Sequence, residues 1–483
     1  GLSFVDALAV GLSKKFKGDP TQFADCIILL PTRRATRSLR EAFLRGSAGK
    51  PLLLPQLIPL GDLDEDERAL SGWNDADLLV DGAIPPAISS LRRHLLLTQL
   101  VQAFEKKTSS PDKAARLAVA LARLLDQVQT ERLSFDGLHK LVPEDYAEHW
   151  QVTLKFLEIL TKEWPTILRE HGCLDPADRR NKFLENQAKL WTASPPKGHI
   201  FAAGSTGSIP ATADLLDVIA GLPNGCVVLP GLDQTLNERD LPVLEPTHPQ
   251  YGMVQLLTRM NVNIKEVKIW EVPGIEPIKN DRADLIHVAL RPASSMDTWR
   301  SLQTPSPDTL EPVEYVVCPS PEEETGVIAL MMRKLLEEKG KTAALITPDR
   351  ELARRVASQL LRWGIEIDDS AGLPLSIVPT ILFLRLTAAL VVNQFKPVDI
   401  LAACKHPIAA CGFAPTKLRD LIRRLELEAL RGSHPATGIN GLLAVIEDRD
   451  NELYSFLERL REASRYFAQI SAQGNVNLQK IVQ

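Results

Sequence analysis

No CxxC pair occurs among the six cysteines of this 483-residue chain: Cys26, Cys173, Cys226, Cys318, Cys404 and Cys411. The closest two lie seven positions apart. That spacing argues against a structural zinc or iron–sulfur site built from this chain. Apolar neighbours flank most of them, so they read as free, mostly buried thiols in a reducing compartment. Long apolar runs are missing too; residues 386–392 and 26–30 fall far short of the ~20 that a membrane helix needs. Nor is positive charge in excess. Fifty-six Lys and Arg against 61 Asp and Glu leave −5, which excludes coating nucleic acid by bulk charge and confines any DNA site to a local patch. The opening stretch, GLSFVDALAVGL, lacks a basic leader and a signal cleavage site, and it starts on Gly1 as a trimmed or partial product would. Together these absences predict a soluble, cytoplasmic chain.

What is present is ordinary for globular proteins. Hydrophobic residues make up 45% and charged residues 24%, which excludes wholesale disorder. At roughly 100–200 residues per domain, the length predicts two to four domains. Residues 4–12 have helical spacing, 25–31 (DCIILLP) read as a short buried strand, and 32–45 as a helix opening on Pro31-Thr32. A strand feeding directly into a helix begins an α/β unit. LLLP at 52–55 reads as a second strand, and the acidic run 62–67 (DLDEDE) as a solvated loop.

From 85 to 191 the character changes. Residues 88–105, 112–131 and 146–171 carry apolar side chains at i, i+3, i+4 and i+7, which predicts an inserted helical block. Strand signals return at 199–203 (HIFAA) and 225–229 (GCVVL), with a helix at 212–220 between them. The economical division is a first α/β domain over 1–84 and 192–291, interrupted by the helical insertion 85–191. A helix near 250–260 closes that domain, and 292–312 forms a linker. A second α/β domain follows at 313–394. Its expected strands are 314–318, 341–346 and 364–368, and its helices 321–338 and 349–362. The remainder, 395–483, reads as an incomplete helical insertion of the second domain, with a break near His406-Pro407.

Two places imitate a phosphate loop, and both fail. Gly340-Lys341-Thr342 precedes a strand, whereas a phosphate loop follows one and opens a helix; Leu335 also stands where the leading glycine belongs. Gly46–Lys50 follows a helix, and Pro51 replaces the metal-binding hydroxyl. No GxSxG, no HExxH and no strand-borne nuclease carboxylate pattern appears. The residues therefore argue against a catalytic centre more than for one, and no metal ligand set or cofactor is expected in this chain.

The strongest positive signal is PTRRATRSLREAFLR. Arg33, Arg37 and Arg40 fall at i, i+4 and i+7 on one face, Arg34 lies beside them, and Leu39, Ala42 and Phe43 line another. The helix begins at the carboxyl end of a strand, where open α/β sheets place ligands. Guanidinium groups there suit phosphate oxygens. The alternative is a solvated face paired with acids such as Glu41. The loop 204–210 (GSTGSIP) is the second signal: Thr206 and Ser208 can donate to a phosphate or a DNA backbone. A helix-capping turn before Pro210 would look the same. Asp349-Arg350, opening a later helix, reads as a cap with Arg350 as a further phosphate candidate.

PTRRATRSLREAFLR, PLGDLDEDE, AGSTGSIPATADLL with VVLPGLD, HPQYG, and TAALITPDRELARRV with WGIEIDDSAGLPL occur in that order along most of the chain. In this ordered set the sequence resembles the AddB family of alphaproteobacterial type, the partner of AddA in a helicase–nuclease acting on double-strand DNA breaks. The resemblance implies two RecA-like, superfamily 1 helicase-like domains with helical insertions and without a working ATP site. The motor would be the AddA-type partner, and this chain would bind single- and double-stranded DNA with no membrane association. Members of the family continue into a nuclease domain held by an iron–sulfur cluster. This sequence has neither that motif nor suitable cysteines, so the cluster is expected only in a carboxyl-terminal part absent here. Two other readings remain open: an autonomous ATP-dependent helicase, and a protein-interaction scaffold without DNA binding.

Overall fold

A computed structural model of the chain describes all residues except 1, 18, 62–83, 105–109, 136–146, 273–280, 302–308, 310–312, 432–435, 447–450 and 473–483. The acidic run 62–67 and most of the second half of the 292–312 segment thus lie outside the described residues. The chain divides into two compact units, Gly1–Glu314 and Tyr315–Gln483, each described by itself below.

In the first unit, α1 (Phe4–Lys15) and α2 (Pro20–Ala24) lead into β1 (Ile27–Leu30), followed by α3 (Arg33–Gly46) and β2 (Gln56–Pro59). The second strand forms four residues later than the run LLLP suggests. Gln56 N donates to Cys26 O at 2.9 Å and Leu60 N to Leu30 O at 2.7 Å. In contrast Leu53 is exposed. Pro51 and Pro55 have no N–H for a ladder, so pairing starts only once they are passed.

A helical block then intervenes: α4 (Ser90–Phe104), α5 (Pro111–Thr130), α6 (Ala147–Glu158), α7 (Trp164–Glu170) and α8 (Pro176–Ala193), with a π turn over Ile159–Glu163. The chain returns through β3 (Ile200–Ala203), α9 (Pro210–Gly221) and β4 (Gly225–Val228), then α10 (Tyr251–Arg259) and α11 (Asp281–Ala289). All four strands are parallel, in the order β2-β1-β3-β4.

Strand alternation sorts the side chains between two cores. Ile28, Leu30, Phe201 and Ala203 pack with Leu8, Leu12, Leu39 and Phe43, so α1 and α3 cover one face. Leu29, Ile200 and Ala202 pack with Phe183, Trp191, Leu215 and Ile219, so α8 and α9 cover the other. A parallel sheet buried on both faces explains the near-continuous apolar strands. The helical block has its own core around Leu97, Val101, Leu121, Leu125 and Trp164.

That block is joined to α8 by a buried carboxylate. Asp175, at the amino end of α8, is wholly buried. It accepts from Gln129 Nε2 and Trp164 Nε1, each at 2.9 Å, and pairs with Arg93 Nε at 2.9 Å.

The second unit begins with α12 (Pro321–Leu336) and α13 (Arg350–Leu361), which share a small core of Ala329, Val356 and Leu360. The three strands expected at 314–318, 341–346 and 364–368 do not form; among the described residues the sheet is confined to the first unit. Tyr315 is 91% exposed and Ile346 94%. An apolar run states a preference for burial but names no neighbour, and these segments have no ladder partner here. The remainder is helical: α14 (Pro379–Val392), α15 (Pro397–Cys404), α16 (Pro415–Leu425), α17 (Ile439–Ile446) and α18 (Asn451–Ser471) around one core. All six cysteines are free. No helix among the described residues is long and apolar enough to cross a membrane.

Candidate nucleic-acid interface

Because the strands are parallel, the loops after β1, β2, β3 and β4 all emerge at one edge of the sheet. From β1 the chain goes to β2 on one side through α3, and β3 is added on the other side after the helical block. The connections therefore diverge between β1 and β3, and at such a switch point open α/β sheets leave a crevice for ligands. The loops flanking it are Pro31-Thr32 and 204–210.

Thr32 caps α3: its Oγ1 accepts from Ala35 N at 3.1 Å. One turn on, Thr36 is buried and returns its hydroxyl to Arg33 O at 2.8 Å. Arg33 and Arg34 are thus the first two helical residues, both exposed, at the end of the helix where the backbone dipole is positive. Cations there are unfavourable unless an anion lies near. Arg37 is 80% exposed and donates from Nε to Glu41 Oε1 at 3.0 Å. Arg40 is exposed as well. At 1.5 Å rise per residue, Arg40 sits about 10 Å along the helix from Arg33, so only the first arginines border the crevice. The buried side, Leu39, Ala42 and Phe43, anchors the helix, with Phe43 edge-on to Phe23 at 5.4 Å. Arg45 Nη2 meets Asp6 Oδ1 at 2.6 Å and fixes the far end to α1.

Across the crevice, Gly204 (φ +78°) donates its N–H to Val228 O at 3.0 Å. A Cβ here would lie 3.3 Å from the Phe4 ring and 3.7 Å from Pro31 Cδ, so the β3 loop begins in contact with the β1 loop. Gly207 (φ +66°) packs on Leu256 so closely that a Cβ would come within 2.9 Å of its Cδ2. Ser208 is exposed and Thr206 half-buried. The residue in the cap position of α9 is Ile209, which makes no side-chain cap bond. The Ser205 hydroxyl accepts from Gly207 N at 3.4 Å inside the loop, whereas the cap position of α9 takes no hydroxyl from it.

The HPQYG segment ties this loop to the one after β4. Gln250 Nε2 donates to Gly231 O at 3.0 Å, and Gln250 Oε1 accepts from Asp233 N at 3.1 Å. A Cβ on Gly252 would sit 3.4 Å from Thr206 O and from Ser208 Cβ. The sequence alone assigns this motif no role. Nor does it reveal the pair formed by His287 Nδ1 and Asp233 Oδ2 at 2.5 Å. Burial pushes the Asp233 carboxyl up, but hydrogen bonds from Thr235 and His287 outweigh it and hold it below the ordinary range. Fifty-four positions separate the two, so no local pattern could have shown the contact.

Arg350 lies in the second unit, at the start of α13. Its guanidinium forms a fork on Asp369, Nη1 to Oδ1 at 3.0 Å and Nη2 to Oδ2 at 2.7 Å. Asp349 caps the same helix, accepting from Glu351 N at 2.8 Å. Lys341, of the Gly-Lys-Thr imitation, follows α12 through a turn and pairs with Glu338. Among the described residues no group of three or more His, Cys, Asp or Glu side chains is placed to hold a metal ion.

The chain matches no protein-family model and no curated protein. What stands is the geometry: two loops of complementary chemistry, one cationic and one hydroxyl-bearing, meeting where the sheet's connections diverge.

Proposed function

We propose that this chain is a helicase-like, non-motor DNA-binding subunit of an AddAB-type complex that processes double-strand DNA ends, its first unit being a RecA-like domain. The phosphate backbone of single-stranded DNA lies across the β1/β3 crevice, against Arg33, Arg34 and the Thr206–Ser208 loop, with Arg37 and Arg40 further along α3. The observation that carries this reading is the meeting of the α3 amino end and the uncapped 204–210 loop at the switch point. Contacts of this kind follow the backbone and carry little sequence information. ATP turnover belongs to the AddA-type partner, since neither lysine of the two phosphate-loop imitations follows a strand and opens a helix.

A second reading, a protein-interaction scaffold, has two observations in its favour. Arg37 is already paired with Glu41 and Arg350 with Asp369, which is how a solvated basic face neutralises itself. The two readings separate in one experiment: fluorescence-anisotropy binding to labelled single-stranded DNA at two salt concentrations, with and without ATP and Mg²⁺. The DNA-subunit reading expects salt-sensitive binding that ignores ATP. It also expects Arg33→Ala with Arg37→Ala to lower the salt slope by about 0.7 for each phosphate that an arginine no longer neutralises. Absence of binding at low salt selects the scaffold, and binding that responds to ATP selects an autonomous helicase.

A further inference from the structure

The second unit holds two thiols that the DNA reading does not use. Cys404 ends α15 and is 4% exposed, enclosed in the cluster that contains Ile400, Leu421 and Leu425. Seven positions later, Cys411 is partly exposed and packs against the same cluster. The loop between them doubles back: His406 N donates to Ala403 O at 3.3 Å, Ala409 N to His406 O at 2.9 Å, and Ile408 N to His406 Nδ1 at 3.3 Å. The His406 ring stacks on Phe383 at 5.3 Å, and Arg459 lies over Phe413 at 4.7 Å, so both arms of the loop are clamped. Cys411 itself has φ +47°, a left-handed conformation that a non-glycine residue keeps only when its surroundings impose it. The two side chains thus face one core from the two ends of a short, doubled-back loop, near enough for each thiol to act on the other's titration.

We propose that Cys411 and Cys404 form a peroxide-modifiable dithiol, in which Cys411 is the thiol attacked first and Cys404 the one that closes the bridge. The order follows from access, because Cys411 reaches solvent and Cys404 does not. The Cys411 thiolate attacks hydrogen peroxide; an S–O bond forms, the O–O bond breaks, and the hydroxide released takes up a proton as water. The Cys404 sulfur then attacks the Cys411 sulfur, the S–O bond breaks, and the departing hydroxyl leaves as water with the Cys404 proton. Two thiols and one peroxide thus give one disulfide and two waters.

The chemistry at each sulfur favours these roles. The neighbouring Cys404 thiol outweighs burial and brings the Cys411 thiol down to about 7, whereas Cys404 is pushed up by the same proximity and by desolvation. A thiolate present in quantity at neutral pH is what distinguishes a reactive cysteine from an inert one. Burial instead drives Cys26 up to about 11 and raises Cys226. The bridge would join the end of α15 to the loop entering α16, closing a short ring inside the helical core.

Trypsin cuts between the two cysteines at Lys405, leaving Cys404 on peptide 386–405 and Cys411 on 406–417. The full chain is treated with hydrogen peroxide, quenched with iodoacetamide and digested without reductant. The expected product is the linked pair of these peptides, two hydrogens lighter than their sum and separated by dithiothreitol. In Cys404→Ser, dimedone should trap a sulfenic acid on 406–417. In Cys404→Ala, alkylation of Cys411 at pH 7 should slow about tenfold as its thiolate fraction falls. Separate alkylated peptides after peroxide concentrations that oxidise Cys173 or Cys318 would overturn the proposal, and the wild-type chain alone decides that. An unchanged alkylation rate in Cys404→Ala, or a sulfenic acid on Cys404 in Cys411→Ser, would overturn the assigned order.

Discussion

Removing the Asp175 carboxylate tests whether the helical block and α8 are held as one body. Asp175 has no exposed surface; it accepts hydrogen bonds from the Gln129 amide and the Trp164 indole and forms an ion pair with the Arg93 guanidinium. In Asp175→Ala the amide and the indole lose their acceptor and Arg93 loses its buried counter-charge at once. Arg93 is itself buried and keeps as a counter-charge Asp126, at 2.8 Å and 43% exposed, with a long bond from Nη2 to Ala122 O at 3.5 Å. Breaking a buried ion pair from one side costs about 3–5 kcal/mol. The Asp126 contact moderates this figure and the orphaned indole and amide restore it, so we expect a loss of about 3–5 kcal/mol. Asp175→Asn retains an acceptor of the same shape and should lose about half as much. Asp126→Asn, at the exposed end of the network, should lose no more than about 1 kcal/mol. Urea unfolding followed by far-ultraviolet circular dichroism reads all three. The reasoning fails if Asp175→Ala stays within about 1 kcal/mol of the parent, or if Asp126→Asn proves equally damaging.

Two further outcomes are expected. Gly207→Ala places a Cβ in the left-handed region and against Leu256, and should lower stability by about 1–2 kcal/mol; Gly221→Ala, which meets nothing within 4 Å, should leave the thermal midpoint nearly unchanged. Hydrogen bonds and charges from Lys405 and Arg431 depress the Glu426 carboxyl to about 2, so its folded value lies below its unfolded one. The stability it supplies is present above the unfolded carboxylate range near about 4.3 and lost as pH falls toward about 2; Glu426→Gln should flatten that limb of an acid titration followed by circular dichroism, and an unaltered limb would count against the pairing.

The first unit is legible where composition and punctuation agree. IILL and IFAA are apolar runs bounded by Pro, Gly or a charged residue, and Thr32 stands where a helix needs a cap, so the strands and α3 follow from the residues in order. Register is not legible in PLLLPQLIP, because apolar residues stand on both sides of Pro55 and the strand forms on the less apolar side, which only the ladder decides. In the second unit the runs EYVVC and AALIT carry the strand signal without the neighbours that turn it into a sheet. For the candidate site, residue type and spacing identify the arginines and the hydroxyl loop. Their meeting at Gly204 and Pro31 depends on the strand order, which no local window contains. Gln250 and His287 act through partners 17 to 54 positions away, beyond the reach of any periodicity.

The Gln250 side chain has a mechanical consequence. With one end on the loop after β4 and its own helix pressed against the loop after β3, it makes these two segments a single mount. The crevice wall on the β3 side is therefore built as one piece with α10, while the β1 wall is fixed by the Thr32 cap and the buried face of α3.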